Sequence, residues 1–164
     1  MRNRSKTVAT WLALVGGSLG LHRFYLHGGK DLWGWLHPLP TLLGLAGVLR
    51  MRGLGQDDHA AWLFIPLLGV MLSLGMLAAI IIGLTPDERW AQRHSDDGVT
   101  LEASGWLAII GVVLALLIGG AVLMGTLAFS GQKYFEYQRE KAQGRSQDSM
   151  GWRHADQNKL RLIQ

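Results

Sequence analysis

The apolar positions of this chain fall into four blocks separated by short polar segments. No Asp, Glu, Lys or Arg occurs in Thr7–His22, Leu32–Leu49, His59–Pro86 or Ala103–Gln132. These runs are 16, 18, 28 and 30 residues long. A mostly apolar run of about 18 or more residues is long enough to cross a bilayer as a helix. Within the third run, Trp62–Leu84 rises roughly 34 Å as a helix. That crosses a hydrocarbon core of about 30 Å with some tilt. Gly105–Phe129 does the same. The first two runs rise only about 24 and 27 Å, and the second carries Pro38 and Pro40. Alone, each reads equally as a buried helix of a soluble protein. Together they read as a hairpin, because only the segment Arg23–Asp31 separates them. The pattern therefore predicts an all-α, polytopic membrane protein with four transmembrane helices arranged as two hairpins. The first hairpin occupies residues 1–55. The second occupies 56–131, with a polar, acidic loop at about 85–104. Residues 132–164 form a basic tail.

Charge then orients the spans. With four crossings, the N-terminus, the loop at Arg50 and Arg52, and the tail share one side. That side holds twelve of the 16 Lys and Arg. Arg23, Lys30, Arg89 and Arg93 lie on the other. Basic residues stay on the cytoplasmic side, so both termini are expected in the cytoplasm, in the inner membrane of a bacterial cell. Arg2, Arg4 and Lys6 before an apolar stretch look like a signal peptide. No small-x-small cleavage site follows, so the first helix is expected to remain. The net charge of +4 is then a topology signal, and no nucleic-acid partner is expected. The chain has no Cys, which excludes a disulfide scaffold and cysteine-based metal or redox chemistry.

Lys6, the glycine-rich stretch Gly16, Gly17, Ser18, Leu19, Gly20, and then Leu21, His22, Arg23, Phe24, Tyr25 and Leu26 resemble the TM-two domain family. Its members are small membrane proteins built on two closely spaced helices. The resemblance covers about residues 6–52 and implies a helical hairpin with little established mechanism. His27 stands where the family has Gly. Leu49-Arg50-Met51-Arg52 stands where it usually has Trp and Asp, so a role for that acid does not carry over. In animal members the Arg-Phe turn lies on the cytoplasmic side, opposite to the charge count here.

Four residues of that turn are the leading lipid- or partner-binding candidates: Arg23, Phe24, Tyr25 and His22. At the end of a short span, the Arg23 guanidinium falls at phosphate depth, where it pairs with phosphate in bidentate fashion. Phe24 and Tyr25 are interfacial anchors beside it. The plainer alternative is that Arg23 snorkels to water and ends the helix. His37 is the intramembrane polar residue, a functional candidate by position. Alternatively it satisfies carbonyls that the prolines leave free. His22 and His27 are five apart and share no helical face, so no metal and no cofactor is expected.

Small residues recur four apart at Gly16/Gly20, Gly69/Ser73, Gly75/Ala79, Ala115/Gly119 and Ala121/Gly125. Such faces let helices approach closely in lipid. The third loop starts a short helix at Thr85-Pro86-Asp87 with Trp90 dipping into the surface, and Asp96-Asp97-Gly98 makes a turn. The tail continues helix four through Tyr134, Phe135 and Tyr137. Beyond Gly144 it is either disordered or ordered on a partner or anionic lipid.

No catalytic motif is present: no nucleophile elbow, P-loop or zinc-protease pattern. The expected function is a non-enzymatic membrane scaffold or accessory subunit. Its partners are membrane lipids and another integral membrane protein or a second copy. Two alternatives remain. One is a small oligomeric transporter or channel with a path past His37. The other is a membrane enzyme on lipid headgroups, with Arg23 holding phosphate and Asp31 or a histidine as base.

Overall fold

A computed structural model describes the backbone of residues 4–94 and 105–161, and the side chains of residues 4–94 and 105–147. The turn expected at Asp96-Asp97-Gly98 lies outside the described residues. Among the described residues seven α-helices follow one another: α1 (Lys6–Gly16), α2 (Leu21–His27), α3 (Leu32–Leu36), α4 (Pro38–Leu54), α5 (His59–Leu84), α6 (Asp87–His94) and α7 (Trp106–Arg161). No strand occurs among the described residues. The chain divides into two units, residues 1–127 and residues 128–164.

Among the described residues three helical stretches are long and apolar enough to cross a membrane: Leu32–Leu54, His59–Leu84 and Trp106–Gln147. The sequence led us to expect four. The difference lies in the first run, which is not one rod. α1 stops at Gly16, a single 3-10 turn covers Gly17–Leu19, and Gly20 takes a left-handed φ of 77°. A side chain rarely tolerates that conformation, and glycine does. The chain reverses there, and α2 returns beside α1 so that the Tyr25 hydroxyl receives the Ser5 backbone N–H at 3.1 Å. Both ends of the Lys6–His27 segment therefore lie together. Gly16 and Gly20 do not form one helical face as expected, because Gly20 lies beyond the end of α1.

The remaining helices of the first unit run past this hairpin in alternating directions. His37 has helical angles (φ −63°, ψ −43°), so α3 and α4 join as one stretch, with Pro38 at the start of α4 where its missing N–H costs little. α4 and α5 are antiparallel and close: a Cβ on Gly44 would lie 2.4 Å from the Leu68 backbone nitrogen, and one on Gly47 would lie 2.6 Å from Phe64. α5 begins at His59, with Asp58 as its cap accepting from the Ala60 N–H. Pro66 is thus inside the helix, about two turns past its start. α5 and α7 are antiparallel too, with Gly69 against Thr126, Met76 against Gly119 and Gly83 against Val112.

α1 packs on the second half of α5. A Cβ on Gly17 would lie 2.5 Å from the Gly75 Cα, so two backbones touch where the hairpin turns. Gly75 is nine residues from the end of α5, about 14 Å of helix rise. At the end of α5, the Lys6 ammonium reaches the Thr85 carbonyl at 2.8 Å and the Asp87 carboxylate at 2.5 Å. Ala9, Ala13, Met76, Ala79, Ile82, Trp90 and Ala115 form the core.

This path corrects the charge assignment. The N-terminal residues share an end with Arg23, Lys30 and α6. The Arg50–Asp58 loop is at the opposite end, one α4 length away. The N-terminus and Arg50 therefore lie at opposite ends of α5, where the four-crossing count put them together. The second unit is described by itself: α7 is helical to Arg161. Tyr134 and Phe135 meet edge to face at 5.8 Å, and Lys133 pairs with Glu136 at 2.5 Å.

Gly75→Ala places a methyl 2.9 Å from the Gly17 backbone. Overpacking of this kind costs about 1–3 kcal/mol. Thermal unfolding in detergent should show that loss. Gly125→Ala, whose Cβ meets nothing within 4 Å, should lose nothing, since alanine favours a helix over glycine by about 1 kcal/mol.

Candidate functional site

The four turn residues sit on α2, in the seven-residue segment Leu21–His27. Gly28, with a φ of 87°, ends α2, and the chain passes through Gly29 and Lys30 into α3. Asp31 caps α3 by accepting the Trp33 N–H at 3.3 Å. Its other oxygen receives the Arg23 Nε–H at 2.7 Å. Arg23 is therefore neither free at the surface nor simply the end of a helix. It closes the loop between α2 and α3 through a carboxylate eight residues on, and 30% of its side chain stays exposed. Two glycines separate the elements that carry Arg23 and Asp31, so the ion pair itself emerges only in the folded turn.

Phe24 and Tyr25 are structural anchors as placed. A Cβ on Gly34 would lie 2.6 Å from the Phe24 ring, so glycine there lets the ring lie flat on α3. Trp35 meets Phe24 edge to face at 5.3 Å, and its indole N–H donates to the Gly29 carbonyl. The Tyr25 ring has the Arg4 guanidinium 6.0 Å from its centre.

His22 faces inward and is 7% exposed. Its ring lies edge-on to His37, with centroids 5.9 Å apart. The His37 Nδ1 donates to the Trp33 carbonyl at 2.6 Å. That is a backbone carbonyl one turn earlier, and not one of the two, Gly34 and Leu36, whose i+4 partners are Pro38 and Pro40. Thr41 sits one turn beyond His37, its hydroxyl 2.6 Å from the Ser18 carbonyl. The elbow is thus tied to α4 by a hydrogen bond and to α5 by glycine contact.

Residues that sequence reasoning missed lie above α1. Trp90 is 5% exposed and donates its indole N–H to the Arg4 carbonyl at 2.8 Å. His94 stacks on it at 4.1 Å. Burial, opposed by its bond to the Trp90 carbonyl, holds the His94 imidazole below its ordinary range. With Lys6 and Asp87, these residues latch α6 onto the first hairpin. The signal was partial: Trp90 stands out in a polar loop, but nothing in the sequence names Arg4 as its partner.

The small-residue positions have separate fates. Gly16 is filled by the Leu21 side chain, and Gly20 abuts the Gly34 carbonyl. Ala79 and Ala115 are fully buried. Ser73 donates to the Gly69 carbonyl. Ala121 is exposed, and Gly125 has open space around it. No cluster of three or more metal-ligating side chains occurs among the described residues.

The hairpin, its glycine elbow and the His-Arg-Phe-Tyr segment of α2 point to one family. Residues 2–53 match the TM2 domain. The match covers α1 to α4 and leaves α5, α6 and α7 outside it. No curated protein and no solved structure matches the chain. The TM2 match and the three apolar helices together mark a membrane protein. Within the TM2 segment the Arg-Phe pair is spent on closing the turn: Arg23 on Asp31, Phe24 on Gly34.

The Arg23 guanidinium holds the Asp31 carboxyl below the usual carboxylate range, against a smaller opposing effect of desolvation. A depressed carboxyl stabilises the fold above its unfolded value of about 3.9, and the contribution is lost as pH falls through the lower folded value. Thermal unfolding in detergent should therefore weaken from about pH 5 to about pH 3. Asp31→Asn should be less stable than the parent at neutral pH and lose less on acidification. Parallel pH profiles would show that the pair contributes nothing.

Proposed function

We propose that this protein is a non-enzymatic integral membrane subunit that packs against another membrane protein, in the inner membrane of a bacterium. The observation that carries this reading is the open cleft between α5 and α7. It encloses about 340 Å³ and is walled by Leu74, Leu77, Leu116 and Leu123 over Ser73 and Gly120. On the opposite face of α7, away from the cleft, Ala121 is exposed and Gly125 is unfilled. Small residues with space over them permit a neighbouring helix to approach closely in lipid. The glycines facing α4, α5 and α7 inside the first unit are already covered, so these open positions are the ones left for a partner.

The path of the chain supports three crossings with a re-entrant first hairpin. The N-terminal end carries Arg4, Lys6, Arg23, Lys30, Arg89 and Arg93, and the other end carries Arg50 and Arg52 with the seven Lys and Arg that follow residue 132, so Lys and Arg are not in excess at the N-terminal end. Arg23, partly exposed at the same end, remains the group for lipid phosphate. The lipid-enzyme alternative loses support, because Arg23 and the α3 cap engage both oxygens of Asp31. A transporter reading keeps one observation in its favour. The first apolar run is interrupted by irregular backbone, which inside a membrane is tolerated where it is buried in protein or lines a watery cavity.

Purification of the intact chain in mild detergent should recover a second membrane protein at stoichiometric ratio. Gly125→Leu should reduce that recovery at least several-fold while the unfolding temperature of the isolated chain is unchanged. Recovery of the unmodified chain alone, as a monomer, contradicts the reading.

A further inference from the structure

The elbow of the first hairpin holds a buried polar atom with no partner. His22 is the second residue of α2, directly after the left-handed Gly20, and is 7% exposed. Its Nδ1 makes no hydrogen bond and touches no solvent. Buried polar atoms are nearly always paired, and an exception asks for an explanation. Ionisable groups within a membrane mark binding sites and proton paths more often than they serve packing.

The second group is His37. Its ring lies 5.9 Å from His22, edge to face at 76°. Its Nδ1–H donates to the Trp33 carbonyl. A neutral imidazole carries one donor and one acceptor nitrogen, so this bond fixes the tautomer and leaves the Nε2 of His37 with its lone pair. His37 is five residues inside the Leu32–Leu54 stretch, about 8 Å of helix rise from its end. The pair is therefore recessed below the membrane surface.

We propose that His22 and His37 together form a binding site for one proton at the elbow of the first hairpin. A hydronium gives its proton to an imidazole lone pair and leaves as water. One N–H bond forms, and the charge of the pair rises from zero to +1. The groups that act on His22 are Arg23 and His27 on its own helix and His37 from the next. α1, packed beside α2, has no ionisable side chain between Thr7 and Gly16. Asp31, the nearest carboxylate in sequence, is engaged by Arg23. No acid therefore compensates a second charge. Two imidazolium rings 5.9 Å apart repel each other, which at an effective dielectric of about 20 makes the second proton about 100-fold weaker than the first. The site takes one proton and refuses two.

The charge appears where the backbone turns. Gly20 lies against the Gly34 carbonyl, and a Cβ on it would be 3.2 Å from the His37 Cβ. Proton binding is thereby coupled to the contact between the re-entrant hairpin and the first crossing helix, whichever partner the protein has.

Proton uptake by the solubilised full chain, titrated from about pH 8 to about pH 5.5, above the range where a 100-fold weaker second proton binds, tests the proposal against the double variant His22→Leu/His37→Gln. The expected difference is one proton per chain. Two protons mean independent imidazoles, and zero means an inert pair; either result overturns the proposal. The wild-type chain supplies a check that needs no variant to fold. In nitrogen-15 NMR the ring signals of His22 and His37 should shift with one common midpoint. Separate midpoints, or no shift in either ring, overturn it equally.

Discussion

The contact between the backbones of Gly17 and Gly75 governs the first unit. A side chain on either residue would occupy the space of the other's main chain. The approach lets the chain turn against α5 well inside the apolar layer. In lipid there is no hydrophobic force between helices, so such close packing and internal hydrogen bonds must hold a turn in place. Both are present: glycine against glycine on α5, and the Thr41 hydroxyl on the Ser18 carbonyl from α4. The left-handed Gly20 completes the reversal. Non-helical backbone at depth survives only where protein covers it, and Gly16, Gly17 and Gly20 are all buried.

The elbow fixes what its two ends must do. α1 and α2 finish together, so Ser5 meets Tyr25 and the N-terminal residues come under α6. There Lys6, 8% exposed, needs partners for a buried charge, and the end of α5 provides the Thr85 carbonyl and the Asp87 carboxylate. Trp90 closes over the same place and takes the Arg4 carbonyl. The segment outside the TM2 match thus holds the TM2 segment at both its elbow and its ends. The two are one packed unit and not a domain with an independent pair of helices appended. Chemistry at the elbow, where His22 and His37 meet, is consequently linked to the packing of all the surrounding helices.

Much of this was legible in the sequence. The long apolar runs became α5 and the first part of α7, and the helix start at Thr85-Pro86-Asp87 became α6. The resemblance built on Gly20, His22, Arg23, Phe24 and Tyr25 led to the TM2 match. The reversal was not legible. A glycine four residues after another reads as a close-packing helical face, and composition does not show that Gly20 has a positive φ. The one hint was length: a run rising about 24 Å is short of a core of about 30 Å. Once the run is read as a crossing, the charge count places Arg50 with the N-terminus, whereas the folded chain carries the two to opposite ends of α4. The pairing of Arg23 was hidden for a related reason. Its partner Asp31 becomes a neighbour only through the turn at Gly28.

The central claim is that the first apolar run enters and leaves the membrane on one side. The native chain has no Cys, so single-cysteine variants at Ser5, Lys30 and Gln56, labelled in oriented vesicles with a membrane-impermeant maleimide, test it without interference. The account requires Ser5→Cys and Lys30→Cys to label from the same side and Gln56→Cys from the other. If Ser5→Cys and Lys30→Cys label from opposite sides, the run crosses the membrane and the re-entrant elbow is wrong.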